Sequence, residues 1–340
     1  MSGEITAEAT EASTSLGTQP SARARPLPTA LTVIVLVGAV ALTFLVSNYH
    51  LFQLTMLVGY ALAILGLNIA TGYNGQISLG HGAFYAVGAY TAAILMSNFD
   101  VPYWATLPIA AIVSAIIGFL IGFPALRFTG LYLALTTFAL AVAVPQLLKF
   151  KGIEDWTGGV QGIVISKPEA PFGLPLNPDQ WLYLFSLAVA ALLFLFAWNL
   201  IRGRIGRAMM AIRDHALAAE AMGIDLAMLK TRTFAVSAMY TGVAGALSAI
   251  AVEFVAPDSF TIFVSIFLFV GLVVGGVASI TGAIFGAAFI VFIPNIAEQV
   301  SKAAPGAIYG VILIAFMYLM PSGVAGLLRS LYHRLVPRSR

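Results

Sequence analysis

Ten apolar runs of about 17–22 residues recur along the 340-residue chain, none with an Asp, Glu, Lys, Arg or His near its middle. They fall at 28–47, 51–70, 80–97, 104–123, 131–148, 181–201, 233–252, 262–279, 281–297 and 307–328. A length near 20 suits an α-helix crossing a hydrocarbon core about 30 Å thick. A transmembrane barrel would show segments of about 10 residues with strict alternation, and none occurs. Lipid offers backbone amides no partner, so helices, which pair them internally, remain. Composition agrees, with 60% of residues hydrophobic and 9% charged, against about 25% charged in a soluble domain. A water-soluble enzyme is excluded. So is a disordered or collagen-like chain, because Gly 32 and Pro 16 show no three-residue period. The expected fold is an all-α polytopic membrane protein of about ten transmembrane helices. One boundary stays open: 262–297 reads either as two spans or as one span plus a re-entrant piece.

Residues 1–27 are rich in Ser, Thr, Ala and Glu and end at Arg23, Arg25 and Pro26, which reads as a disordered tail. The apolar run that follows is long for a signal core and is closed by no small-x-small site, so it is expected to be a retained first helix. Lys and Arg favour the cytoplasmic side of a membrane. With ten spans and the N-terminus inside, 13 of the 17 basic residues face the cytoplasm, every Arg among them. They are Arg23, Arg25, Arg127, Arg202, Arg204, Arg207, Arg213, Lys230, Arg232, Arg329, Arg334, Arg338 and Arg340, which leaves Lys149, Lys151, Lys167 and Lys302 outside. Both termini are thus expected inside. The organisation is a tail at 1–27, a membrane domain at 28–328 with an outer loop at 149–180 and a cytoplasmic loop at 202–232, and a basic tail at 329–340.

A charge at mid-membrane costs about 2.5–3.5 kcal/mol, and proton-coupled pumps accept that cost for a relay. This chain has no such relay. Sodium held by carbonyls at broken helices remains open to it. It also lacks a G-x-x-x-x-G-K-[ST] phosphate loop. With no cysteine and four scattered histidines, neither a thiolate chemistry nor a metal cluster is expected. A translocator without its own motor should dock one.

In the 202–232 loop, Asp214 is expected to cap a short helix over 215–222, and Gly223 to stop it in a left-handed conformation. Leu217, Glu220 and Ala221 share a face by their spacing. Two turns alone are marginal in water. The helix therefore either lies on anionic lipid or docks into a partner. Glycines concentrate at 72–88 and 271–286, which points either to a transport route through interrupted helices or to close packing by small residues. Asn74, Gln76, Ser78 and His81 make the first segment the more polar. His81 alone reads as a hydrogen-bonded structural residue. Tyr132, Thr136, Thr137 and Gln146 either line a polar path or satisfy one another between helices. The outer loop is stiffened by Pro168, Pro171, Pro175 and Pro178, and offers Trp156 beside Gly158–Gly159.

The string Ala218-Ala219-Glu220-Ala221-Met222-Gly223-Ile224-Asp225 resembles the E-A-A…G coupling loop of ABC-transporter permeases. With Arg213-Asp214-His215 before it, it resembles the branched-chain amino-acid permeases of the LivM type. Gly72-Tyr73-Asn74-Gly75-Gln76-Ile77-Ser78-Leu79-Gly80-His81-Gly82-Ala83-Phe84 is similar to that family's N-terminal signature, and Thr157-Gly158-Gly159-Val160-Gln161-Gly162 to a further motif. The likeness covers roughly residues 30–328. It departs mildly, since Glu220 follows its Ala pair rather than preceding it.

The resemblance implies a permease subunit of an importer in a bacterial inner membrane. That subunit is not an enzyme and binds no cofactor, with ATP on partner chains. The implied partners are a second permease, two cytoplasmic ATPases, an external binding protein and membrane lipid, with no nucleic acid. Asp214, Leu217, Ala218, Ala219, Glu220, Gly223 and Asp225 would form the ATPase-coupling helix. Asn74, Gln76, Ser78, His81, Tyr132, Thr136 and Thr137 would line the path. The implied cargo is branched-chain or related amino acids, with urea or short amides as the alternative within the family. An ion-coupled secondary transporter and a channel-like protein are the readings outside it.

Overall fold

A computed structural model describes residues 29–125, 130–300, 302 and 304–335. The expected 1–27 tail with Arg23 and Arg25, Arg127, and residues 336–340 lie outside the described residues. The chain divides into two units, Met1–Leu45 and Val46–Arg340. In the first, α1 (Thr29–Leu45) is a single apolar helix.

The second unit is a bundle of helices. In chain order these are α2 (Asn48–Asn68), α3 (His81–Phe99), α4 (Tyr103–Ala125), α5 (Leu131–Leu148), the short α6 (Glu154–Thr157) and α7 (Pro178–Arg202). There follow α8 (Arg204–Asp214), α9 (Ala216–Ala221), α10 (Leu226–Val252), α11 (Ile262–Gly275), α12 (Gly282–Val300), α13 (Pro305–Leu319) and α14 (Gly323–Leu335). Two-residue strands β1 (Ile163–Val164) and β2 (Phe254–Val255) pair antiparallel, with Ile163 opposite Val255.

Among the described residues, seven helices are long and apolar enough to cross a membrane, and α13 with α14, bent by 41°, makes an eighth if taken as one span. The chain is therefore a multi-pass membrane protein. The run expected at 80–97 is α3, long enough but carrying His81, Tyr85, Tyr90, Thr91 and Asn98, a polarity its packed position tolerates. In the run at 28–47, the apolar stretch Leu36–Leu45 of α1 is, among the described residues, shorter than a span requires. The open boundary at 262–297 resolves into two helices, joined by a turn in which Gly276 (φ 116°) and Ala278 (φ 57°) take left-handed conformations. The run at 307–328 is broken at Met320–Ser322, and α14 continues through Arg329 to Leu335.

α10 lies at the centre, packed on α2, α3 and α4. Hydrophobicity alone gives helices little reason to associate in lipid, so close approach at small residues does that work. A Cβ on Gly88 would run into the backbone of Gly242, and one on Gly245 into the backbone of Tyr85. Gly271 and Gly275 of α11 meet Gly286 and Gly282 of α12 in the same way. Of the two readings of the glycine-rich segments, close packing is the one these contacts realise. Most of α7 and α4 faces outward, with Ile112, Ile116, Leu120 and Phe123 exposed on α4.

Candidate coupling and translocation site

After α7, Gly203 breaks the helix and α8 begins. α8 is amphipathic, with Gly206, Met209 and Ile212 buried and its three arginines, Arg204, Arg207 and Arg213, exposed. Asp214 does not cap the next helix as expected. α8 runs through Asp214, so its backbone is helical, whereas an N-cap needs extended geometry. That place is taken by His215 (φ −152°, ψ 90°). The Asp214 carboxylate instead accepts from Nε of Arg213 at 2.9 Å.

α9 ends as its sequence requires. Gly223 has φ +84°. Its N–H donates to the carbonyl of Glu220 (2.8 Å), and Ile224 N–H donates to that of Ala219 (3.1 Å). This pair of bonds is a Schellman stop, which favours glycine at the left-handed position. Ala219 is buried, while Ala218, Glu220 and Ala221 are exposed. Leu217 and Met222 project at 82% and 83% exposure. Asp225 caps α10, its carboxylate accepting from Met228 N–H at 2.9 Å.

The 72–84 motif sits against this region. α2 continues into a π-turn at Ile69–Tyr73, a geometry often found at functional sites. The loop beyond it is held by side chains. Thr71 Oγ1 donates to the carbonyl of Gln76 (2.8 Å), and Gln76 Nε2 to that of Lys230 in α10 (3.0 Å). Arg213 Nη1 donates to the carbonyl of Gly72 at 2.9 Å. Asn68, fully buried, donates to Ser279 O and accepts from Ala278 N–H, both at 2.8 Å. One asparagine at the end of α2 thus holds the second glycine-rich segment against the helix that leads into the first.

His81 opens α3 inside the core. Ser237 of α10 donates to the carbonyl of Gly66, so it accepts from Nε2–H of His81, and Ser78 donates to Nδ1 (3.0 Å). Both ring nitrogens are used, the pattern of a neutral imidazole in a structural network. Thr137 of α5 accepts from Leu79 N–H at 3.0 Å, and Ser265 of α11 from Gly82 N–H at 2.9 Å.

Asn74, Gln76, Ser78, His81 and Thr137 thus gather in one buried polar region. Tyr132 and Thr136 lie on an exposed stripe of α5, with the Thr136 hydroxyl donating to its own helix at the Tyr132 carbonyl. Gln146 is exposed too. Asn68, Ser237 and Ser265 were missed from sequence. Each is a lone uncharged polar residue within an apolar run, and that was the only signal. Among the described residues, no three His, Asp or Glu side chains are grouped to hold a metal ion.

The far end of α10, 27 residues and about 40 Å from Asp225, carries the other motif. Gly158, Gly159 and Gly162 all have positive φ and deliver β1 to β2. Lys167 bridges Asp179 and Glu253, each at 2.9 Å. Burial alone would lower its pKa, but the two carboxylates outweigh it and the net shift is upward. The contribution is therefore complete below the ordinary lysine value of 10.5 and is lost as pH rises through the raised one. Glu253 is nearly half exposed, so screening holds the expected cost of Lys167→Met to about 1 kcal/mol. It should be read as a lower Tm in detergent at neutral pH, with the difference vanishing only in strong alkali. A cleft of about 330 Å3 opens at the same end, lined by Asp100, Tyr103, Ser166 and Pro168 among others.

Residues 49–321 match the family described as branched-chain amino acid transport system / permease component. The chain belongs to this family. It is 33% identical over 317 residues to the high-affinity branched-chain amino acid transport system permease protein LivM of Salmonella typhimurium, covering 86% of this chain and 74% of the relative. Against LivM of Escherichia coli it is 33% identical over 320 residues, covering 87% and 75%. A probable branched-chain amino acid transport permease protein LivH of Methanocaldococcus jannaschii is 26% identical over 280 residues, covering 78% and 88%. No solved structure matches. The family match spans all three motifs of this permease, from the π-turn loop through the outer turn to α9.

Proposed function

We propose that the permease is the LivM-type subunit of an ATP-driven importer in a bacterial inner membrane, passing branched-chain or related amino acids inward by alternating access. The observation that carries this reading is α9. It is a six-residue helix too short to persist alone, closed by a glycine stop, with Leu217 and Met222 turned outward at the Arg-rich end of the bundle. Such a pair is suited to burial in a cleft of a cytoplasmic ATPase. ATP would be bound and hydrolysed there, on two partner chains. A second permease, of the kind the LivH relative's name describes, would complete the pore. An external binding protein would deliver cargo to the opposite end, where the 157–162 turn and the neighbouring cleft lie. Counting α1 and α3 as spans alongside the eight gives the ten-span topology, with both termini cytoplasmic.

Affinity purification from the native membrane tests the assembly. A P-loop ATPase and a second permease should accompany the tagged chain in comparable amounts, and recovery of the chain alone would contradict it. Cargo would be set by what the binding protein releases, so urea or short amides remain the alternative substrate class, decided by uptake competition.

A further inference from the structure

We propose that Arg213 is the positioning residue that carries movement of α9 into the membrane-spanning core, by clasping the π-turn at the end of α2. This rests on the reading of α9 as the coupling helix. The π-turn at Ile69–Tyr73 ends a helix, and the last carbonyls of a helix lack internal partners and carry the negative end of its dipole. The Arg213 guanidinium supplies a charged donor there, 2.9 Å from Gly72 O. Gly75, with φ +72°, lets the arginine lie close: a Cβ there would stand 3.0 Å from Arg213 Cγ and 3.4 Å from its Cα. The same loop is fastened on the other side of α9, where Gln76 donates to the carbonyl of Lys230 at 3.0 Å.

Residues 213 and 230 bracket α9 in sequence, so a displacement of α9 acts on the 72–76 loop through both bonds. From there the route inward is short. Asn68, one turn back along α2, holds the α11–α12 turn at Ala278 and Ser279. The pull would therefore reach two hairpins of the core together. Charge-assisted bonds are roughly twice as strong as neutral ones, which places Arg213 ahead of Gln76 as the coupling element.

The complete importer, reconstituted with its ATPases and binding protein, provides the test. Arg213→Gln should lower uptake about tenfold, equivalent to about 1.4 kcal/mol, while ATP hydrolysis persists within about twofold. Arg213→Lys, which keeps one charged donor, should recover part of the uptake. Full uptake in Arg213→Gln overturns the proposal, and so does a proportional loss of uptake and hydrolysis in an intact complex. Failure of the reading beneath it looks different: no ATPase would accompany even the unaltered chain. Should Arg213→Gln not fold, the native arginine background decides. The chain has no cysteine, so spin labels at Ala216→Cys, on α9 but outside its docking face, and Ile77→Cys report the α9-to-loop distance within this chain. An unchanged distance between nucleotide-free and ATP-trapped states supports the clasp, and a changed one overturns it.

Discussion

Gly223→Pro is expected to abolish uptake while leaving the chain inserted and stable in the membrane. Nothing lies within 4 Å of where a Cβ on Gly223 would stand, so the position has space and its constraint is conformational. At φ +84° an L residue pays about 1–2 kcal/mol, and proline, locked near −65°, cannot adopt the angle at all. Proline also deletes the N–H that donates to Glu220 O, and with it half of the Schellman stop. A six-residue helix has no reserve against such a loss. α9 should unwind while the bundle, whose core lies elsewhere, stays intact. Gly223→Ala should show a graded defect, because it keeps the N–H and carries only the strain. Uptake assayed alongside protease resistance and membrane yield separates the two. Wild-type uptake in Gly223→Pro would remove α9 from the coupling role.

Gly245→Val is expected to prevent folding outright. The added carbon would meet the backbone of Tyr85, and backbone in the packed centre of the bundle cannot move aside as a side chain can. Overpacking by single methylenes already costs about 1–3 kcal/mol, and α10 is also clamped by Gly88 against Gly242 on the same face. A loss above about 4 kcal/mol places this variant among the exceptional ones. Membrane yield and monodispersity in detergent should fall to near zero. Gly306→Val, where a Cβ meets nothing within 4 Å, should express normally. A well-folded Gly245→Val would mean that α10 and α3 do not approach as closely as described.

Much of this was legible beforehand for physical reasons. Twenty-residue apolar runs mark spans because lipid thickness is fixed, and the Gly223 stop was readable because only one residue type takes that angle freely. The break at Met320–Ser322 also had a visible sign, the Pro321-Ser322-Gly323 turn cluster, hidden within an otherwise continuous apolar run. Other features had no local sign. Asp214 looked like a cap because it precedes a helix, yet whether α8 ends before or after it depends on how Met209 and Ile212 pack. The path residues divided in the same way. Thr137 turns inward to Leu79 and Thr136, its neighbour, turns outward, a distinction made by where α5 docks. Asn68 finds its partners 210 and 211 positions away, and Arg213 its partner 141 positions away. Periodicity carries no information across such distances.

The decisive measurement is flux in proteoliposomes of defined composition. Chain purified alone should move no amino acid against a gradient, with or without sodium or proton gradients. The same chain with its second permease, ATPases and binding protein should accumulate cargo only when ATP is supplied. Concentrative uptake by the chain alone, driven by an ion gradient without nucleotide, would contradict a passive subunit moved from outside itself.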